Sequence, residues 1–191
     1  QIMDCGSDKV IYMDNNATTR VAPEVVDAMM PFLTDCYGNP SSMHIFGGQV
    51  ARAINEARES IAGLLGAEPE EIIFTSCGTE SDSTAILSGL QTFPDQRHVI
   101  TTRVEHPAVK NLCDNLDGLT GHKHRITRLQ VEADGTLDLD QYRESLTEDT
   151  AIVSVMWANN ETGVIFPVEE MAAMARERDI LFHTDAVQAV G

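Results

Sequence analysis

Residues 151–182 read AIVSVMWANNETGVIFPVEEMAAMARERDILF and contain a strand–helix–strand pattern on which the fold assignment rests. The two ends, 151–157 and 180–182, are short apolar runs with β-branched or aromatic residues, as is typical of buried strands. Residues 168–178 between them are predicted to form a helix. This order predicts two parallel strands joined by a helix that packs on their sheet.

The same alternation extends toward the N-terminus. Further strands are predicted over residues 72–74, 99–100 and 126–131, and further helices over 23–36, 48–65, 80–90, 107–116 and 139–146. Pro23 and Pro107 suit first helical turns, and Thr79 or Ser81 is expected to cap the helix near residue 80. Pro31 is expected to kink or interrupt the first helix. The chain is therefore predicted to be an α/β protein with a mainly parallel sheet covered by helices on both faces.

Composition limits the classes of function. The 191 residues include 30 acidic and 13 basic side chains, for a net charge of -17. Such a field repels phosphate backbones and anionic lipids, so no nucleic-acid or membrane partner is expected. No apolar run approaches the roughly 20 residues of a membrane span. The four cysteines lack metal-binding spacing and no export signal precedes them, so we expect a cytoplasmic protein without a metal site.

Ligands of such sheets bind beyond the carboxyl ends of the strands, and this rule defines where chemistry is expected. The candidate segments are 75–81, 102–107, 157–163 and 183–188, with 38–44 added on its turn composition. In the first, Gly78 allows close backbone approach at a helix start, which suits an anionic phosphate. An ordinary Ser/Thr-rich cap explains the same residues, and the lysine of a P-loop is absent.

Each of the other segments carries polar side chains that could either bind a ligand or have an ordinary structural role. Asp185 follows a buried strand and could face a protonated pyridine nitrogen, or could cap the next helix. His106 could stack on a planar cofactor or transfer protons, or could be a surface histidine. The amide-rich turn 158–163 could bind a ligand or could only be a turn. Cys77 has no clear activating base and is interpreted as structural.

These segments together resemble one known family. The matching stretches are YMDNNATT (12–19), GNPSS (38–42), FTSCGTESDSTAIL (74–87), VEHPAV (104–109), SVMWANNETG (154–163) and FHTDAVQAVG (182–191). In order and spacing they resemble the cysteine desulfurases of class V aminotransferase type, especially the NifS group. The resemblance implies a PLP-dependent transferase of fold type I, in which pyridoxal 5'-phosphate (PLP) removes sulfur from L-cysteine and leaves L-alanine.

The resemblance also implies roles for individual residues. Gly78 and Thr79 would bind the cofactor phosphate, and His106 would stack on the ring and assist proton transfer. Asp185 would pair with the pyridine nitrogen and Gln188 with the ring hydroxyl. Two further residues, Asn160 against the cofactor and Asn39 near the substrate, complete the implied site. The implied partners are an Fe–S scaffold protein as sulfur acceptor and a second copy of the chain in a homodimer.

One departure from the family pattern limits these expectations. The family attaches PLP to a lysine in a Ser-x-His-Lys segment, and none of Lys9, Lys110 or Lys123 lies in one. We therefore expect a truncated chain, with residues 1–20 as an N-terminal arm and 21–191 as part of the large PLP-binding domain. The persulfide cysteine would also be missing, so the chain alone is expected to be inactive. Open alternatives are a selenocysteine lyase, a transaminase, a silent binding module or a plain nucleotide-binding domain.

Overall fold

The computed structural model describes residues 11–117 and 124–190. The chain divides into two compact units, Gln1–Phe74 and Thr75–Gly191. The expected arm over residues 1–20 stays a prediction. In the described part of the chain, no helix combines the length and apolarity needed to cross a bilayer.

The first unit is helical. Its elements are α1 (Pro23–Thr34), α2 (Ile45–Leu65) and a short 3-10 helix (Pro69–Glu71). Pro23 occupies the first helical turn, as predicted. The helix α2 begins after His44, whose ring accepts a hydrogen bond from the Gly47 N–H, and it ends at Gly66 with φ 68°. That left-handed conformation favours glycine because it lacks a Cβ.

The structure corrects two expectations for the first unit. Pro31 does not interrupt α1, which continues through it to Thr34, and the Pro31 carbonyl accepts from the Asp35 N–H. A kink at Pro31 stays a prediction. Residues 72–74 form no strand and pair with none in the described part of the chain. The Arg58 guanidinium instead donates to the Ile72 carbonyl and lies 4.8 Å from the centre of the Phe74 ring. An apolar, β-branched run becomes a strand only where a partner edge is available.

The second unit contains the predicted parallel sheet. Its strands are β1 (His98–Thr102), β2 (Arg125–Leu129), β3 (Thr150–Ser154) and β4 (Leu181–His183), in the order β2-β1-β3-β4. Every neighbouring pair is parallel. Its helices are α3 (Gly78–Thr92), α4 (Pro107–Leu116), α5 (Leu139–Ser145) and α6 (Val168–Arg176). The strand–helix–strand unit predicted over residues 151–182 is confirmed as β3, α6 and β4.

Helices cover both faces of this sheet, as predicted. Successive strand residues point to opposite faces, so Val99 and Ile100 enter different cores. Val99 packs in a cluster with residues of α3 and α4, whereas Ile100 packs with residues of α5 and α6. The Tyr142 hydroxyl, fully buried on α5, donates to the Met171 carbonyl at 2.9 Å and links α5 to α6. Two packed layers of helices therefore fix the strand ends that carry the candidate segments.

A buried histidine links three strands at the start of the sheet. The His98 ring lies 2.8 Å from the Thr150 hydroxyl through Nδ1 and 2.8 Å from the Thr127 hydroxyl through Nε2. Burial lowers the pKa of His98 to about 4, and the Arg125 charge contributes in the same direction. The ring is therefore neutral at ordinary pH and serves as a structural cross-link.

Candidate functional site

The first candidate segment forms the N-terminal end of α3. Cys77 precedes the helix in an extended conformation, and Gly78 is the first helical residue. The prediction that Thr79 or Ser81 caps the helix is wrong, because both residues lie inside α3. The Glu80 carboxylate instead turns back and accepts hydrogen bonds from the Ser76 N–H (2.7 Å) and hydroxyl (2.6 Å). These bonds fix the turn through which the chain enters α3.

Gly78 brings this turn next to the segment that follows β4. A Cβ built on Gly78 would lie 3.8 Å from the Val187 Cγ2, which is ordinary contact distance. Among the described residues, the Gly78 N–H has no hydrogen-bond acceptor. An open N–H at a helix start, where the backbone dipoles leave partial positive charge, suits an anion.

His106 caps the next helix along the chain. Its Nδ1 accepts a hydrogen bond from the Ala108 N–H at 3.2 Å, immediately before Pro107 begins α4. Because Nδ1 is the acceptor, the neutral ring carries its proton on Nε2. His106 and Thr79 share an open cleft of about 350 Å³. The α3 and α4 starts therefore bring two of the predicted site residues to one cavity, which is also lined by Ser83, Pro107, Ala108, Asn111, Leu112 and Asn115.

Asp185 lies just beyond β4, and its backbone is held by the neighbouring strand. Its carbonyl accepts from the Trp157 N–H at 2.9 Å, which continues the β3–β4 pairing past the last strand residues. Its carboxylate accepts from the Val187 N–H at 3.1 Å and so closes the turn that begins there. Gln188 lies in the same turn region, which is exposed. Asp185 and Gln188 thus flank the side chain that faces Gly78.

Two buried acidic groups lie behind these residues, and the sequence interpretation did not identify them. Asp82 on α3 is only 6% exposed, and its carboxylate lies 3.6 Å from the His183 Nε2. The His183 Nδ1 lies 2.9 Å from the buried Ser154 hydroxyl. Burial and the Asp185 charge raise the pKa of Asp82 to about 6, opposed by His106. Burial also lowers the pKa of His183, and Asp185 opposes that effect.

Glu105 is the second buried acid and is also 6% exposed. The Thr102 hydroxyl donates to it at 2.7 Å, and the Met156 N–H lies 3.1 Å from both carboxylate oxygens. Burial raises the pKa of Glu105 to about 7, because these hydrogen bonds offset only part of the cost of burial. The charges of Asp185 and Asp82 raise it further. The signals in the sequence that point to Glu105 are its place directly before His106 and its position within the VEHPAV stretch.

The Asn159 side chain holds the amide-rich turn together, whereas the residue of this turn predicted to contact the cofactor is Asn160. Asn159 is 6% exposed, and its Oδ1 accepts from the Glu161 N–H and the Thr162 N–H at 3.0 and 2.9 Å. Its Nδ2 donates to the Val104 carbonyl at 3.0 Å. Asn160 follows it directly and is half-buried. The turn is therefore an ordered part of the strand end.

Cys77, which the sequence predicts to be structural, lies at an exposed position. Its thiol is exposed at the start of α3, where the Glu80 N–H and the Ser76 hydroxyl lower its pKa. By contrast, burial raises the pKa of the Cys113 thiol on α4 to about 12. Lys110 on the same helix forms an exposed ion pair with Asp114 at 2.8 Å. The remaining lysines, at positions 9 and 123, lie outside the described residues.

The predicted residues thus fall into two groups. Gly78, Thr79, His106, Asn160, Asp185 and Gln188 all lie in the second unit, at helix starts and strand ends. Asn39 lies in the first unit, where its carboxamide oxygen accepts from the Ser41 N–H at 2.8 Å and forms the turn expected there. The ligands assigned to these residues stay predictions.

Known proteins share this architecture and sequence. The family model described as aminotransferase class-V matches residues 11–191. The cysteine desulfurase NifS of Azotobacter vinelandii is 61% identical over 184 residues, covering 95% of this chain and 44% of that protein. A solved NifS-like protein superposes with a TM-score of 0.88 at 39% identity, covering 94% of this chain and 49% of that one. The structure of SspA in complex with cysteine has a TM-score of 0.87 at 37% identity, covering 93% and 51%.

These matches confirm the predicted fold type and the predicted relationship to NifS-type cysteine desulfurases. They also show how much of the relatives this chain covers. The chain spans about half the length of the curated relatives and solved structures that it matches.

Proposed function

Because the chain belongs to the aminotransferase class-V family, we propose that it supplies the cofactor-binding segments of a PLP-dependent cysteine desulfurase. The whole protein would convert L-cysteine to L-alanine and hold the sulfur as a cysteine persulfide. The observation that carries the proposal is the meeting of the α3 start with the Asp185 segment through Gly78 and Val187. It brings a helix start whose open N–H suits an anion next to the Asp185 segment, and PLP offers a phosphate and a basic ring nitrogen.

The residues present fit the cofactor in two respects. The Gly78 N–H at the start of α3 is available to a phosphate oxygen, and Thr79 borders the adjoining cleft. Asp185, half-buried beyond β4, would hold a proton on the ring nitrogen, with Gln188 and Asn160 at the ring edge. When bound, the protonated cofactor ring withdraws electrons from the amino-acid substrate.

His106 would both contact the ring and move protons. Its Nδ1 is occupied by the Ala108 N–H, so only Nε2 can exchange a proton with a ligand. The helix cap also limits rotation of the imidazole, which keeps Nε2 in a fixed direction. This arrangement suits a general acid–base group.

Asp82 and Glu105 would reinforce the negative potential that receives the ring nitrogen. Both are buried, and both interact electrostatically with Asp185. Three carboxylates in a weakly screened environment repel each other, and a bound cation relieves that repulsion. A protonated pyridine would supply such a cation.

We further propose that the 191-residue chain does not turn over L-cysteine by itself. Its sequence contains no Ser-x-His-Lys segment to attach the cofactor, and Lys110 is exposed and paired with Asp114. Treating the chain with PLP and borohydride, followed by peptide mapping, should find no stoichiometric adduct. An adduct on one of its three lysines would contradict this proposal.

The proposed partners follow from the family. For the whole protein, the resemblance to the NifS group implies an Fe–S scaffold protein as sulfur acceptor, cytoplasmic Fe–S assembly of the nitrogenase type and a homodimer, and we propose these partners on that basis. The relative solved in complex with cysteine supports L-cysteine as the substrate.

The test is to express the complete reading frame that encodes this chain and supply PLP and L-cysteine. We expect alanine and persulfide sulfur in equal amounts, and strong loss of both in Asp185→Ala. Asp140→Asn, which changes an exposed acid of α5, serves as the control and should stay active. No alanine would contradict the proposal. Parallel assays with L-selenocysteine and with a keto-acid acceptor identify a selenocysteine lyase or a transaminase instead.

A further inference from the structure

Two buried side chains tie the loop before α4 to the loop after β3, and each binds the backbone of the other loop. The Glu105 carboxylate accepts from the Met156 N–H, with both oxygens at 3.1 Å. In return, the Asn159 Nδ2 donates to the Val104 carbonyl at 3.0 Å. We call Glu105 and Asn159, with these two cross-loop bonds, the loop clamp.

Additional hydrogen bonds hold both clamp residues in place. The Thr102 hydroxyl donates to Glu105 at 2.7 Å, within its own loop. The Asn159 Oδ1 accepts the N–H groups of Glu161 and Thr162. Since both clamp residues are 6% exposed, rotation of either side chain would leave buried polar groups unpaired, which is costly.

Each clamp residue directly precedes a predicted cofactor-binding residue in the sequence. Glu105 directly precedes His106, and Asn159 directly precedes Asn160. We propose that Glu105 and Asn159 are positioning residues that set where His106 and Asn160 stand against the cofactor ring. The inference rests on the proposed function, in which His106 and Asn160 contact the cofactor. A purely structural clamp would change stability and leave the ligand contacts of the folded protein unaltered.

The experiment measures binding of 4'-deoxypyridoxine 5'-phosphate to the complete protein that contains this chain, prepared free of PLP, by calorimetry. This probe keeps the phosphate and ring nitrogen of PLP but has no aldehyde, so no lysine is required. Asn159→Asp keeps the acceptor oxygen for its own loop and removes the donor to Val104. Glu105→Ala removes the other bond, and Glu105→Gln retains an acceptor oxygen. Exposed Glu144→Gln on α5 and Asn55→Asp on α2 are the matched controls.

We expect Asn159→Asp and Glu105→Ala each to weaken probe binding about tenfold, which corresponds to the loss of one well-placed hydrogen bond. The circular dichroism of the bound ring should fall in both, because the ring is held less asymmetrically. Glu105→Gln should recover most of the affinity, and the controls should bind as the wild type does. The double variant should bind within about threefold of the weaker single variant, because both substitutions break the same clamp.

The outcomes separate the clamp from the proposed function. If the wild type binds and His106→Ala weakens binding, but the clamp variants bind normally, the positioning role is wrong and the cofactor site stands. Full additivity in the double variant would also overturn the clamp, since independent effects add. If the wild type does not bind the probe, the cofactor site and the clamp role are both wrong. If Glu105→Ala does not fold, Asn159→Asp and Glu105→Gln decide the question.

Discussion

Replacing Glu105 with glutamine should change how stability depends on pH. Burial raises the pKa of Glu105 from an ordinary 4.5 to about 7. The folded protein therefore holds a proton on this group that the unfolded chain has already released between these two pH values. For a carboxyl with a raised pKa, the stabilising contribution is complete below pH 4.5 and is lost as pH rises through 7.

The magnitude follows from the size of the shift. A pKa difference of this size corresponds to about 3 kcal/mol of unfolding free energy. Glutamine does not titrate, so Glu105→Gln lacks this pH-dependent contribution. The stability of the wild type relative to the variant should therefore fall by about 3 kcal/mol between pH 4.5 and pH 8. Asp82 is present in both proteins, and most of its own titration cancels in the comparison.

Urea unfolding, followed by circular dichroism at several pH values from 4.5 to 8.5, measures the effect. Glu144→Gln removes an exposed carboxyl of α5 and should follow the wild-type profile. Parallel profiles for the wild type and Glu105→Gln would refute the reasoning, because they would show that Glu105 titrates normally. A difference that grows in favour of the wild type with rising pH would contradict its sign.

Further substitutions and modifications test other parts of the structure. At pH 7, iodoacetamide should alkylate exposed Cys77 much faster than buried Cys113, as followed by peptide mass spectrometry; equal rates would contradict the assigned environments. His98→Asn removes a base whose pKa is lowered to about 4, so the stability advantage of the wild type should shrink by about 3 kcal/mol as pH falls from 6.5 to 4; a constant difference in urea unfolding would contradict this. Gly89→Ala places a Cβ 2.9 Å from an isoleucine methyl of β3 and should lower the free energy of unfolding by about 1–2 kcal/mol. Gly48→Ala on α2 meets nothing within 4 Å and should raise it by about 0.5–1 kcal/mol. Equal unfolding midpoints for the two alanine variants would show that Gly89 is not tightly packed.

Much of the fold follows from local patterns in the sequence. The apolar runs at 151–157 and 180–182 predict β3 and β4, and the helix between them predicts their parallel order. Pro107 marks the first residue of α4 correctly, because proline fits a helical turn that needs no N–H donor. The strand predicted over residues 72–74 is not found, because strand formation depends on a partner edge and the local sequence does not show whether one is available.

The site was only partly predictable for a similar physical reason. Gly78, His106 and Asp185 carry recognisable chemistry at strand ends, so position and residue type identify them. Glu105 and Asn159 act through bonds to the backbone of another loop, and these partners become neighbours only when β1 and β3 pair. Asp82 lies on a helix of mostly polar composition, and its burial is decided by the packing of α3 against the sheet.

The most direct test of the central claim is a crystal structure of the complete protein with PLP bound. We expect the cofactor phosphate at the N-terminal end of α3, in contact with Gly78 and Thr79. We also expect the ring nitrogen at Asp185 and His106 against the ring face. A cofactor bound elsewhere, or a ring nitrogen turned away from Asp185, would contradict the proposed cofactor site.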